Sequence, residues 1–417
     1  MTASTMTQFD ALLKERYSDK AKVEQLMYGD RVLLGKLEKR GDTGMVGDTM
    51  PIPILYGNPQ GLGGSFATAQ TNQTNTKSDK FATQAGDYYG TVAIGDKVLK
   101  ASRTNMGAFL SNQMAETDGL YEQAAENLSI YLWGNGGGAI GVRASLATNT
   151  ITLATPSDAG NFEIDMLLKA SANDGSDAAH TLRAGSATAV TAVNASAGTV
   201  TVASAAAITS FTDGDSLFRE SDFFGNTGTV VIKGVQCFVT ASDTPMALWG
   251  ISSATRATQP QRYAGCRVPT SVVSNKSFEE RIRILGAYMT GRFKAKRPTA
   301  GFMHPEDWQV LETVMQARGV RPLEDEKTQF GYMAISVSMG GGMVPIYADR
   351  HCPKGTFFAL REENWWISSM GELIHAQNED GLEMLRKASS TDYELRLLSY
   401  PILGCNAPKN NGRVPLT

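Results

Sequence analysis

The stretch from Gly57 to Gly95 constrains this chain more than any other, because it holds too little apolar surface to fold by itself. It is rich in Gly, Thr, Gln, Asn and Ala, and its large apolar residues are Leu62, Phe66, Phe81, Tyr88, Tyr89, Val92 and Ile94. Two runs, Gly64–Thr71 and Lys80–Tyr89, carry strand-compatible residues around a polar tip, Thr74–Asp79. That pattern predicts a long hairpin with almost nothing to bury on either face. A lone two-stranded hairpin is marginal in water, and a loop this long inside a compact domain is unusual unless it has a function. The segment leads straight into a long helical pattern, so it is an internal arm. The simplest source of its missing core is another copy of the chain, with Phe66, Phe81, Tyr88 and Tyr89 as the expected contact residues.

The other bounds are broad. A chain of 417 residues has room for two or three domains. Its net charge of −3 gives no global electrostatic case for nucleic-acid binding. There is no run of apolar residues long enough to span a bilayer. Met1–Met27 lacks the apolar core of a secretory signal. Cys237, Cys266, Cys352 and Cys405 are scattered without ligand or framework spacing, which predicts reduced, buried thiols.

Periodicity supplies the elements. Thr7–Glu38 reads as helical in pieces. Thr49–Leu55 contains Pro51 and Pro53 and is expected to be extended, at a sheet edge. Thr104–Trp133 is the strongest helix: Met106, Phe109, Leu110, Met114, Tyr121, Ala124, Leu128 and Leu132 recur at spacings of three and four, and Gly134 and Gly136 end it. From Ala144 to Thr240 the composition shifts to Ala, Thr, Ser, Val and Gly. Alternation at Thr150–Leu153 and Thr199–Val202, with a further strand at Val230–Val239, predicts a small inserted β domain. Ser277 and Glu280 form a capping box, and Pro305 opens another helix with Gly319 as its stop. Strands follow at Met343–Ala348, Thr356–Leu360, Trp365–Ser368 and Thr391–Tyr400.

Candidate chemistry is sparse. Gly136–Gly141 matches the glycine spacing of a dinucleotide loop but follows a helix instead of a strand, so it reads as a flexible hinge. His180, His304, His351 and His375 have no paired ligand spacing. Glu324–Glu326 and Glu362–Glu363 read as solvated loop charge, Lys294–Arg297 as cations at a helix C-terminus, and Trp365–Trp366 as a core Trp beside an interface Trp. No metal, no cofactor and no catalytic activity are expected.

The order of parts carries a resemblance. Gly44–Pro53 followed by Gly64–Gln70 resembles the N-arm and E-loop of tailed-bacteriophage major capsid proteins. The helix ending in Leu132–Gly136 is similar to their spine helix, Pro305–Trp308 to the start of an A-domain helix, Val344–Tyr347 with Cys352–Phe357 to the strand–turn–strand after it, and Tyr393–Pro401 to the return strand of the peripheral domain. The resemblance implies an α+β HK97-type capsid fold. Its parts would be an N-terminal arm (1–56), an E-loop (57–100), a P domain with the spine helix (101–143, 241–297 and 389–417), an inserted β domain (144–240) and an A domain (298–388). It further implies self-assembly into hexamers and pentamers of an icosahedral shell enclosing double-stranded DNA, portal and scaffolding proteins as partners, a decoration protein as an additional one, and assembly in the host cytoplasm. Lys77 and Lys80 lie in the loop where one branch of the family forms a cross-link, but no matching Asn and Glu are identified. An encapsulin-type nanocompartment shell is the alternative; the long Met1–Leu55 segment and the large insertion favour the phage reading.

Overall fold

The computed structural model describes residues 31–41, 49–95, 106–176, 180–224, 231–242, 245–317, 323–324, 333–377, 384–387, 390 and 392–417. Most of the Thr7–Glu38 region, the Thr104 start of the long helix, the Gly319 stop and Asp325–Glu326 lie outside these residues.

The apolar stripe in the long-helix pattern produces one helix, Met106–Trp133, whose 28 residues rise about 42 Å. Its described apolar face is buried at Tyr121, Ala124, Ala125, Leu128 and Leu132. Leu120 packs over Gly90 of the strand Tyr88–Ile94. That strand pairs antiparallel with Tyr393–Ser399, where Leu395, Leu397 and Ser399 alternate inward. The helix therefore lies on the sheet formed by these strands. At its C-terminal end Trp133 is buried against Phe302 and Phe358, with ring centroids 5.6 and 5.2 Å away.

Those two phenylalanines belong to a seven-stranded mixed sheet. Its order is Cys266–Arg267, Gly412–Pro415, Thr356–Leu360, Ala300–Met303, Gly342–Ala348, Met333–Met339 and Leu323–Glu324. The opposite face of this sheet is covered by Phe278–Ala287 and Pro305–Gln316. The first is started by the expected Ser277–Glu280 capping box and buries Ile282 and Leu285; the second has Pro305 in its first turn and buries Leu311 and Met315. These residues form a second hydrophobic core with Ile335, Val337, Val344, Ile346 and Phe357.

Between the long helix and this sheet the chain forms a closed antiparallel barrel of six strands. Their order around it is Ser216–Arg219, Ala139–Ala147, Thr150–Leu153, Thr199–Val202, Thr188–Asn194 and Leu167–Ser171. The alternation read in Thr150–Leu153 and Thr199–Val202 is the barrel's inside–outside alternation: Ile151, Val200 and Val202 are fully buried, as are Leu168, Val190 and Leu217 from the other strands. Closure leaves no sheet edge to protect.

Three local expectations change. Gly64–Thr71 is not a strand; Phe66–Thr71 is a short helix capped by the Ser65 side chain. The partner of Lys77–Gln84 is instead the proline-containing Thr49–Gly57. This strand buries Met50, Ile52 and Ile54 on one face and exposes Pro51 and Pro53 on the other. Among the described residues it has a single partner strand, so prolines two apart fit along it. Val230–Val239 is not a strand either: Val235–Phe238 forms a helical turn against the end of the long helix. Gly234 lets the two backbones approach, since a Cβ there would collide with carbonyls of Tyr131, Leu132 and Gly134. The chain after Tyr393 serves three sheets in turn, through Tyr393–Ser399, Pro401–Cys405 and Gly412–Pro415.

Candidate functional site: an arm with a buried base and an exposed tip

The hairpin of Thr49–Gly57 and Lys77–Gln84 divides into two chemically distinct parts. Its base is part of the chain's own core. Phe81 is fully buried, with ring centroids 5.9 Å from Phe238 and 6.1 Å from Trp249, both edge-on. Thr83 Oγ1 donates to the Met50 carbonyl at 2.6 Å, and the Ala82 amide donates to the Trp249 carbonyl at 3.2 Å. The expectation that the arm has almost nothing to bury is therefore corrected at its base, and Phe81 is not available to a neighbouring molecule.

The tip, residues 58–76, is different. Almost all of it is exposed, with Phe66 at 80% and Leu62 at 77%. The hydrogen bonds that shape it are local: the Gln60 amide to Thr74 Oγ1, Asn72 Nδ2 to the Leu62 carbonyl, and the Ser65 cap on the Thr68 amide. The tip thus holds a shape of its own while presenting apolar side chains to solvent. Leu55, at 59% exposed, extends the apolar surface along the strand. Not one residue from Tyr56 to Thr76 carries a charge.

Tyr88 and Tyr89, the remaining expected contact residues, also separate. The Tyr88 hydroxyl faces Asn127 and Arg219 inside the molecule, and burial pushes its pKa up to about 12. Tyr89 stays 60% exposed, with its ring edge-on to Tyr400 at 6.0 Å. Phe66 and Tyr89 are the two expected contact residues that remain at the surface.

Other sequence candidates are absorbed by the fold. Gly136–Gly138 form a packed turn, not a hinge: Gly136 and Gly138 have φ of 76° and 92°, and Cβ atoms at 137 and 138 would strike the Asp174 and Asp222 carbonyls. Asn135 fixes this turn by donating to Asp174 at 2.6 Å and accepting from the Gly137 amide. Glu362 is paired with Lys36, and Glu363 with Arg361. Trp365 and Trp366 are both buried, so neither is an interface Trp; Trp365 Nε1 donates to Asn411 Oδ1 at 2.8 Å. All four cysteines are free and buried. Among the described residues no group of His, Cys, Asp and Glu is placed to hold a metal ion, and no helix is long and apolar enough to cross a membrane.

One ionic cluster escaped the sequence reading. Glu126, on the long helix, meets Arg31 at 2.8 Å, His351 Nε2 at 3.2 Å and Arg350. Burial works to raise the Glu126 pKa, but the hydrogen bond and charge of His351, with Arg350 and Arg31, hold it down at about 2. Its members come from three segments more than 90 positions apart, so no spacing announces them. Together with the Leu33 amide donating to Asp349 at 2.9 Å, the cluster ties the start of the described chain to the turn after Gly342–Ala348.

No family model matches the chain, and no curated protein matches it. Solved structures do. The chain is similar to the capsid asymmetric unit of cyanophage A-1(L), at 12% identity and a TM-score of 0.42, over 93% of this chain and 92% of that one. It is similar to the capsid of a native GTA particle, at 7% identity and a TM-score of 0.44, over 92% and 89%. It is also similar to the putative capsid protein of a prophage of E. coli CFT073, at 7% identity and a TM-score of 0.42, over all of both chains.

Proposed function

We propose that this chain is the major capsid protein of a tailed bacteriophage, a structural subunit that assembles into the icosahedral shell around a double-stranded DNA genome. The observation that carries the reading is the arm, whose base is fixed in its own core while its uncharged tip exposes Phe66 and Leu62. A tip of this kind gains burial only from another molecule, and apolar contacts repeated around a closed shell become strong collectively. The element order supports the same reading: arm, long helix, layered sheet with two helices, then return strands, in the sequence that the resemblance led us to expect. In this reading the six-stranded barrel is an insertion that leaves the shell-forming body intact. Hexamers and pentamers of the chain, portal and scaffolding proteins, a decoration protein and assembly in the bacterial cytoplasm belong to the proposal.

The test is microscopy with light scattering on purified virions or co-expressed procapsids. Closed shells built from this chain are expected in both, with DNA inside those of the virions. A protein that stays monomeric, with its arm resistant to protease, would contradict the proposal; shells that enclose protein cargo instead of nucleic acid would favour the encapsulin alternative.

A further inference from the structure

Five cations converge on one open cleft of about 530 Å3, and no carboxylate lines it among the described residues. Arg262 comes from the helical turn Pro260–Tyr263, Arg267 from the edge strand Cys266–Arg267, Arg292 and Lys294 from the end of the helix that begins at Phe278, and Lys409 from the turn Pro408–Asn410. The assembly is local, because the chain as a whole carries a net charge of −3.

Two features show that holding these charges together is costly. Burial lowers the Lys409 pKa, and Arg262 and Lys294 push it the same way. Lys294 has φ of 48°, a left-handed conformation that a non-glycine residue adopts at a cost. It follows a π-helical turn, Tyr288–Arg292, a feature frequently found at functional sites. The Arg292 guanidinium carbon lies 4.1 Å over the centre of the Tyr288 ring, and both residues line the cleft. Crowded like charges and a strained lysine are features that cluster at functional sites, and the sign of the charge suits an anion.

The arm tip of a second copy cannot supply the counter-charge, since residues 56–76 carry none. A phosphodiester backbone can. It presents closely spaced negative charges to Arg and Lys, and stacked Arg and aromatic groups are tolerant of base sequence. We infer that this cleft is a sequence-independent binding site for the phosphate backbone of nucleic acid. The choice of nucleic acid over another polyanion rests on the proposed capsid function, in which DNA is the polyanion the shell contains.

The experiment is fluorescence anisotropy of a short random-sequence DNA duplex with the full-length subunit, titrated at several salt concentrations. Three proteins are compared: the unmodified chain, the cleft variant Arg292→Ala/Lys294→Ala/Lys409→Ala, and a control, Lys276→Ala/Arg386→Ala/Lys387→Ala, that removes equal charge elsewhere. The cleft variant is expected to bind about tenfold or more weakly at roughly 50 mM salt, with its log–log salt slope reduced by about 2 to 3. Its melting temperature should be unchanged or higher, because crowded like charges have been removed; this separates lost binding from lost folding. The control should match the unmodified chain. Equal binding by all three proteins, or equal loss in both variants, would overturn the inference. So would a poly-glutamate peptide binding the cleft where the duplex does not, which would mark an acidic protein segment as the occupant. Microscopy of the same variants keeps the two readings apart: shells that form without duplex binding sink only this inference, whereas failure of the unmodified chain to form shells sinks the capsid proposal.

Discussion

At the scale of single residues, Phe66 and Phe81 test the division of the arm. Both lie on one hairpin, yet one is 80% exposed and the other fully buried against Phe238 and Trp249. Phe81→Ala is expected to cost about 3–5 kcal/mol in urea unfolding, the usual range for emptying a buried aromatic site. Phe66→Ala should stay within about 0.5 kcal/mol, as for surface substitutions generally. Equal costs would mean that the two side chains are not distinguished as described. Glu126 offers a second test. Its folded pKa of about 2 lies below the ordinary value of 4.5, so the unfolded chain binds the extra proton as pH falls. Stability from this group is fully present above about pH 4.5 and is lost as pH drops toward 2. Glu126→Gln should flatten that part of the acid-unfolding curve and remove on the order of 3 kcal/mol at neutral pH, since it takes the carboxylate from the buried Arg31. An unchanged acid limb would show that the cluster contributes nothing net.

At the scale of elements, the barrel makes the clearest prediction. Its strands close on themselves from Ala139 to Arg219, and its interior is filled by Ile151, Leu168, Val190, Val200 and Leu217. A fragment covering residues 137–224 should be soluble, give a β-type circular dichroism spectrum and melt cooperatively. A disordered spectrum would mean that its ties to the long helix, Arg219 to Asn127 and Tyr131 to Asp222, are needed for folding. A fragment starting at 142 would be the wrong one, because Ala139 and Gly141 pair with Phe218 and Leu217. This boundary also shows what was legible in the sequence. Thr150–Leu153, Thr199–Val202, the Ser277 cap and the helix to Trp133 were readable because each is set by local alternation or capping. The pairing of the arm was not. Gly64–Thr71 has strand-compatible residues without apolar alternation, whereas Met50, Ile52 and Ile54 alternate but are interrupted by prolines. The pairing buries Phe81 on Phe238 and Trp249, more than 150 positions along the chain, a contact that no local pattern encodes. The same holds for the cations of the basic cleft, of which only Lys294 belonged to a recognisable run.

The whole molecule divides labour between a body that buries its own core and an arm tip that does not. The C-terminal half of the long helix, the barrel and the seven-stranded sheet bury their own apolar faces in two cores among the described residues. The tip leaves Leu62 and Phe66 in solvent. Association through such tips should therefore be separable from folding. The most direct measurement compares the unmodified protein with a Leu62→Ala/Phe66→Ala variant, by thermal unfolding of the subunit and by light scattering with electron microscopy of co-expressed particles. Matching melting temperatures are expected for the two proteins, and closed shells for the unmodified protein only. Shells of equal number and stability from the variant, or a subunit melting many degrees lower, would contradict that separation.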